Sequence, residues 1–504
     1  MPEKMDLAAY QQLVESKDWR PRSVVWELTL ACDLRCEHCG SRAGHVRTDE
    51  LDLDECLGVV DELDSLGAEL VSLSGGEPTL KKGWDQIAKA LSDRGIYTNM
   101  VTNGAYKTLE RAQDIAQRAK AAGMCNVGVS VDGTREIHDK IRGDGNYDLT
   151  MRAIEQFCLA GIKVAMMTTV NKTNLPHLEA IRQIAIDSGA TMLRLQLSKP
   201  MGSMDDHRDN VIEPDQLLGL LPLLARLKKM GEIKIAVGDS IGYYGPHDAV
   251  LRGLNWRGNK QVWRGCQAGM NALGIQANGD VKGCLSLQAM AGENDPFVEG
   301  NIRDSSLAAI WRKPGSFAFN REFSADSLTG KCGKCNKAKQ CRGGARCVSS
   351  ANLGHMGEDP FCWWGVSGNY LDRPSPIKTA AAAAGLAVLL STGMVACEYG
   401  IEPDPDAVTK SDAVDDSVDD STAAEYGVIP DMVDNDATAT PDYGVMPDMV
   451  LEYGVTPDTI DDSLQMEYGV IPDATDDAVS TDYGVLPDAD AEDSMSTDYG
   501  VPQG

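Results

Sequence analysis

The chain has 504 residues, too many for one average domain, and carries 47 Lys and Arg against 76 Asp and Glu. Of those acids 29 lie at or after Glu398, where Lys410 is the single base, so residues 1–397 are close to neutral and the acidity belongs to the tail. A near-neutral body without a basic stripe excludes nucleic acid as a partner held by charge, and a tail of acids without Arg is repelled by anionic lipid.

From residue 24 to 231, short β-branched or apolar runs alternate with longer stretches of helical spacing. Strands are predicted at 24–29, 70–73, 97–102, 126–131, 163–169 and 192–197, and helices at 53–66, 84–92, 109–121, 148–159 and 178–187. Six βα units in series predict an α/β fold, a parallel sheet covered by helices and curved into a partial or full barrel. In such a sheet chemistry gathers at the carboxyl ends of the strands, and the chain's motifs fall there. A loop with Cys32, Cys36 and Cys39 follows the first predicted strand, SGGEP at 74–78 the second, Asn103 and Gly104 the third, Asp132 and Gly133 the fourth.

The 14 cysteines are grouped as CxxxCxxC at 32–39 and CxxCx5C at 332–341, and the first residues read as no signal peptide. That spacing suits a metal or iron–sulfur centre in a reducing compartment, so the expected location is cytoplasmic. Cys56, Cys125 and Cys158 lie apart from these groups and read as small buried apolar residues. Three cysteines on one loop can hold three irons of a [4Fe–4S] cluster and leave the fourth open. The competing reading is a zinc site completed by His38.

With SGGEP 36 residues beyond the loop, counted from Cys39 to Gly75, residues 22–240 resemble the radical S-adenosylmethionine (SAM) superfamily. The resemblance implies a partial (β/α)6 barrel whose cluster binds SAM. It places Gly75, Gly76, Glu77 and Pro78 at the SAM amino group, where two glycines allow close backbone approach and Glu77 offers an acceptor. VTNG at 101–104 and SVDG at 130–133, followed by His138, Asp139 and Arg142, resemble peptide-modifying members. By that likeness Ser130 and Arg142 contact the SAM carboxylate and Asn103 lies near the cofactor. The plainer alternatives are turn chemistry for Asn103 and Asp132 and a surface ion pair for Arg142. The implied reaction is one-electron reduction of the cluster by a flavodoxin or ferredoxin, cleavage of SAM, and hydrogen abstraction by a 5′-deoxyadenosyl radical. No catalytic residue beyond the cluster loop is identified.

Residues 232–370 carry seven cysteines, many glycines and shorter elements, and their apolar content looks thin for a core of their own. Cys266, Gly279, Cys284, the run GNIRDSSLAAIW at 300–311, and Cys332, Cys335, Cys341, Cys347 and Cys362 resemble the SPASM module of radical SAM enzymes that act on peptides and proteins. The resemblance implies one or two auxiliary [4Fe–4S] clusters, with Cys332, Cys335, Cys341 and Cys362 around one and Cys266, Cys284 and Cys347 around another. The chain departs from the usual CRGGC: it reads CRGGARC, so Ala345 stands where a cysteine is expected and Cys347 lies two residues later. A structural zinc ribbon is the alternative.

Beyond the core (1–240) and the auxiliary module (241–373), segment 374–397 is Ala-rich, and its uncharged 19-residue part, 379–397, ends in Met394, Val395, Ala396 and Cys397, a degenerate lipoprotein cleavage box. It reads as the leader of a precursor fused behind the enzyme, or as a linker or an anchor; membrane contact is expected only in the last case. Residues 398–504 repeat an acid, Tyr, Gly and an aliphatic residue, at Tyr399, Tyr426, Tyr443, Tyr453, Tyr468, Tyr483 and Tyr499. Spacings of 27, 17, 10, 15, 15 and 16 residues exclude a stacked solenoid, and composition predicts a disordered acidic tail. The tail is a candidate substrate and a candidate for processing or export, with these tyrosines the modified positions. Its acid-Tyr-Gly core resembles the xYG motif of spliceotide precursors, from which a radical SAM splicease excises a tyramine equivalent. Tyr-centred cross-linking, maturation of a separate protein as in sulfatase-maturing relatives, and repeats that bind a partner are the alternatives.

Overall fold

The computed structural model describes residues 18–238, 241–253, 263–288 and 295–368. The Ala-rich segment, the repeat tail and its seven tyrosines lie outside the described residues.

Strands β1 (Ser23–Glu27), β2 (Leu70–Ser74), β3 (Tyr97–Thr102), β4 (Asn126–Ser130), β5 (Lys163–Val170), β6 (Met192–Leu197) and β7 (Lys234–Val237) pair in sequence order, each parallel to the next. All five residues of β1 and of β2 are buried, as in a parallel sheet covered on both faces, with Ser23, Glu27, Ser72 and Ser74 among them. Helices α1 (Leu53–Ser65), α2 (Trp84–Asp93), α3 (Leu109–Ala121), α4 (Arg135–Arg142), α5 (Asn146–Leu159), α6 (Leu178–Asp187) and α7 (Leu217–Lys229) connect them. Local sequence sets several starts: Asp52 and Glu55 form a capping box on α1, and the Thr108 hydroxyl caps α3. The six predicted strands are all present. The sequence reading missed α4, isolated between the turn at Gly133 and the glycines at 143 and 145, the 13-residue α7, and β7, only four residues long.

Among the described residues, the cysteine-rich region builds no sheet of its own. Strand β8 (Ala272–Ile275) pairs parallel with the free edge of β1, Ser23 opposite Ala272, and β9 (Asp280–Lys282) and β10 (Val298–Asn301) extend the sheet antiparallel. Ten strands thus run in the order β10-β9-β8-β1-β2-β3-β4-β5-β6-β7. The thin apolar content of this region is answered by sharing: Leu273, Ile275, Val281, Ile310, Trp311 and Phe317 join the same buried cluster as Trp26 and Val60. Trp311 also donates its indole N–H to the Trp19 carbonyl at 2.9 Å.

Candidate active site and cysteine cages

The chain leaves β1 into a loop closed at its neck, where Cys32 N–H donates to Gly44 O at 3.1 Å and Gly44 N–H to Leu30 O at 2.9 Å. Arg35 folds beneath it, donating from Nη1 to the carbonyls of Cys32 (2.7 Å) and Leu34 (2.8 Å). The far end is held by the segment after β6: Ser203 N–H reaches Cys39 O at 2.7 Å. Close approach there requires Gly202, since a Cβ would sit 2.3 Å from that same oxygen. Cys32, Cys36 and Cys39 line one cavity of about 730 Å³ together with Gly75, Gly76, Asn103, Ser130 and Arg142.

The glycine turn after β2 lies against the same loop. Gly76 N–H donates to Thr29 O and Glu77 N–H to Ala31 O, both at 2.8 Å. Glu77 and Pro78 are not on the cavity wall. The Glu77 carboxylate is turned inward, accepting from Thr79 Oγ1 (2.6 Å), Thr102 Oγ1 (2.9 Å) and Asn103 N (2.9 Å). Burial raises its pKa, against the pull of those donors. Asn103 combines both readings given to it: Oδ1 accepts from Ala105 N at 2.8 Å, a turn contact, while Nδ2 donates to Asp33 of the cysteine loop at 2.8 Å and approaches Cys32 Sγ at 3.9 Å.

Arg142, at the end of α4, is buried beside the loop. Its Nε pairs with Asp132 Oδ2 at 2.5 Å, Nη1 faces Cys36 Sγ at 3.9 Å and Nη2 faces His38 Nε2 at 3.4 Å. His38 Nε2 also meets Asp132 Oδ2 at 2.9 Å. Burial alone would push the Asp132 carboxyl up, but Arg142 and His38 outweigh it and hold it far below the usual range.

Burial pushes the free thiols of Cys32 and Cys36 up to about 12 and 11. Such thiols stay protonated near neutral pH unless a bound metal displaces the proton. Each also has a donor aimed at its sulfur: Asn103 at Cys32, Arg142 at Cys36, and the Ala43 N–H at Cys39, 3.4 Å away. Three partly buried thiols on one loop, each with an N–H at sulfur, fit an iron–sulfur cluster.

Cys332, Cys335, Cys341 and Cys362 line a second, small cavity with Asp359 and Tyr244. Asp359 organises its walls, accepting from Ala345 N (2.8 Å), Phe361 N (2.8 Å) and the Tyr243 hydroxyl (2.9 Å). Burial lifts its carboxyl to about 6, opposed by those backbone donors. The CRGGARC departure falls at the start of a helix. Ala345 stands at the N-cap of α8 (Arg346–Leu353), and its N–H is committed to Asp359. Cys347 lies in the first turn of that helix, where burial raises its thiol to about 12 against the pull of Lys199, and it packs in one small cluster with Cys284 and Cys266. The seven cysteines therefore form two groups, one of four around a cavity and one of three.

The rest of the main cavity wall was not singled out from sequence: Met167 and Thr169 from β5, Gln196, Ser198 and Lys199 at the end of β6, and a polar side built by Glu27, Arg47, Asp280 and Asp295. Glu27 pairs with Arg47 at 3.5 Å and Asp295 with the buried Lys282 at 2.5 Å. Polar residues at the carboxyl ends of the fifth and sixth predicted strands were the available signal.

A family model described as the radical SAM superfamily matches residues 26–185, and one described as an iron–sulfur cluster-binding domain, SPASM, matches 266–336. The Fe-coproporphyrin III synthase of Methanosarcina barkeri is 37% identical over 370 residues, 69% of this chain and 89% of that protein. The mycofactocin maturase of Mycobacterium tuberculosis is 31% identical over 360 residues, 70% of this chain and 85% of that protein. Among solved structures, Streptococcus suis SuiB bound to S-adenosylmethionine superposes with a TM-score of 0.54 at 16% identity, covering 71% of this chain and 81% of that one.

Proposed function

The chain belongs to the radical SAM superfamily, and from that premise we propose that it is a peptide maturase whose substrate is the Tyr-Gly repeat of its own tail. Its cofactors are SAM, a SAM-binding [4Fe–4S] cluster and auxiliary clusters. The first two supply, when bound, a 5′-deoxyadenosyl radical that takes a hydrogen atom from the substrate. The parts assigned to this chain are to hold and orient. Cys32, Cys36 and Cys39 hold the SAM-binding cluster; Gly75 and Gly76 offer backbone at the cavity wall, with Asn103 and Ser130 beside them. Cys332, Cys335, Cys341 and Cys362 hold one auxiliary cluster, and Cys266, Cys284 and Cys347 the other. The buried wall excludes water from a reactive intermediate. On this reading 1–240 is the core, 241–373 the auxiliary module, 374–397 a leader of fused origin and 398–504 the substrate. A cytoplasmic flavodoxin or ferredoxin is the electron donor.

The observation that carries the peptide reading is the repeat itself: an acid stands directly before Tyr-Gly in all seven units, Tyr399, Tyr426, Tyr443, Tyr453, Tyr468, Tyr483 and Tyr499. Tethering presents each unit to one cavity at high effective concentration. A relative named as a maturase, covered over most of its length, supports it. Splicease-like excision and Tyr-centred cross-linking are separated by mass spectrometry of the tail after anaerobic reaction with SAM and a reductant. Loss of a tyramine equivalent at Tyr-Gly marks excision, and loss of two hydrogens marks cross-linking. An unchanged tail refutes the proposal. The similarity to a protein named as an Fe-coproporphyrin III synthase favours a second reading, formation of an iron porphyrin from a tetrapyrrole precursor; appearance of iron coproporphyrin with the tail unaltered would establish it.

A further inference from the structure

We infer, on the radical SAM reading alone and independently of the substrate, that Glu50 and Arg303 form a strut by which the auxiliary module holds the neck of the cluster loop in its SAM-binding shape. The run GNIRDSSLAAIW marks that module in the sequence, yet Arg303, its fourth residue, lines neither the main cavity nor the four-cysteine one.

Glu50 closes the neck from one side. Its Oε1 accepts from Leu30 N at 2.8 Å, Thr29 Oγ1 at 3.0 Å and Arg47 N at 3.2 Å. One carboxylate oxygen therefore binds both the arm that leads into Cys32 and the arm that returns after Cys39. Thr29 relays the tie, since its Oγ1 accepts from Ala31 N at 3.1 Å, and Ala31 O receives the Glu77 N–H of the glycine turn. Oε2 faces Lys81 Nζ at 3.8 Å, and the Glu50 side chain is only 7% exposed. Hydrogen bonds to a carboxylate shielded in this way are stronger than those between neutral groups.

Glu50 is in turn held by the auxiliary module. Arg303 donates from Nη1 to Asp49 O at 2.8 Å and from Nη2 to Glu50 O at 3.4 Å, while Nε and Nη2 grip the Glu55 carboxylate at 2.6 and 2.8 Å. Leu51 N–H donates to Ala277 O at 2.8 Å, in the turn between β8 and β9. The same motif aims the guanidinium: Asn301 Oδ1 accepts from Arg303 N at 2.9 Å, and Asn301 Nδ2 donates to Asn278 O at 3.0 Å and Asp280 Oδ1 at 2.9 Å. Residues 49–51 are thus clamped along their backbone by the module and present one side chain to the loop. Neither Glu50 nor Arg303 lines the main cavity, so both are positioning residues that act through the loop.

The test is hydrogen exchange read by mass spectrometry on the full chain, loaded with iron and sulfide without oxygen, together with equilibrium SAM binding. Glu50→Ala removes the shared acceptor and should speed exchange of segment 28–47 about tenfold and raise the SAM dissociation constant about tenfold, with exchange in α5 unchanged. Arg303→Gln, at an exposed position, should move both quantities the same way by about threefold or more. Glu50→Gln keeps an oxygen for the neck N–H groups and should bring both back to within about threefold of wild type. Wild-type exchange of 28–47 in Arg303→Gln overturns the inference, as does a Glu50→Gln chain as open as Glu50→Ala. Exchange that rises equally in α5 also overturns it, because that marks a general loss of fold. Should Glu50→Ala not accumulate in folded form, the exposed Arg303→Gln decides. A tail left unmodified by the wild-type chain bears on the substrate alone and leaves these readouts as they are.

Discussion

The backbone N–H of Glu77 donates to the carbonyl of Ala31 at 2.8 Å. The glycine turn after β2 and the cysteine loop after β1 are thereby joined into one surface, closely enough that a Cβ at Gly76 would lie 2.2 Å from that same carbonyl oxygen. Gly76→Ala should therefore force the two loops apart, at a cost of about 1–3 kcal/mol, and weaken SAM binding by about tenfold or more. Gly58→Ala is the control: it lies within α1 with open space around it and should be neutral or stabilise by up to about 1 kcal/mol. Calorimetric binding and thermal unfolding of the two variants check both expectations.

Iron content should follow the two cysteine groups. Cys362→Ala and Cys347→Ala, each purified without oxygen, should lose about four irons per chain, and the double variant about eight. Cys125→Ala, whose thiol points to the Gly123 carbonyl, should keep the wild-type content. A Cys347→Ala chain with undiminished iron would remove the three-cysteine group from the list of cluster sites.

Acid should destabilise the barrel through His138. The imidazole is fully buried, and burial, then Arg142, lower its pKa from 6.5 to about 4. The unfolded chain therefore binds a proton that the folded chain refuses. The stabilising contribution is complete above 6.5 and is lost as pH falls toward 4. Between pH 7 and 5 the loss should be about 2 kcal/mol, and His138→Gln, which cannot titrate, should remove that part of the slope. Urea unfolding of both chains at the two pH values measures it.

The barrel and the auxiliary module should unfold together. β8 occupies one edge of β1, and the buried Trp311 packs against Phe317 at 5.1 Å between ring centres while its indole holds Trp19. Trp311→Ala should cost about 3–5 kcal/mol and lower a single common transition. A chain ended after Val237 exposes the edge of β1 and the apolar face that Leu273 and Ile275 cover, and should be recovered as aggregate. A soluble truncated barrel that binds SAM would contradict this coupling.

The parallel sheet was legible because its strands are short runs rich in apolar and β-branched residues, and because motifs with chemistry follow the first four of them. The three thiols of the cluster loop, Gly75, Gly76, Asn103 and Ser130 could be placed at strand ends for the same reason, and the structure gathers them with Arg142 on one cavity. What sequence could not supply was long-range pairing. That Asp132 would meet His38, 94 positions earlier, depends on how β4 and α4 close over the loop, and a residue in a turn motif carries no mark of such a partner. Glu77 was read as an outward acceptor because its motif names the residue but not its rotamer. The pairing of β8 with β1 was hidden too, since a four-residue strand that borrows another element's core shows little hydrophobic pattern of its own.

That last pairing bears on the order in which the protein can form. β1 is synthesised well before the strand that completes its second edge, which follows about 250 residues later, Ser23 waiting for Ala272. Closing so long a loop is slow compared with joining β1 to β2, so an early folding nucleus has β1 open on one side. The cysteine loop hangs from that half-paired strand. Its neck is local and can close early, but the support of Cys39 by Ser203 waits for β6. A chain arrested during synthesis before residue 272 would carry a formed glycine turn and a cysteine loop on an unfinished sheet, exposed to oxidants until the last third of the described fold arrives.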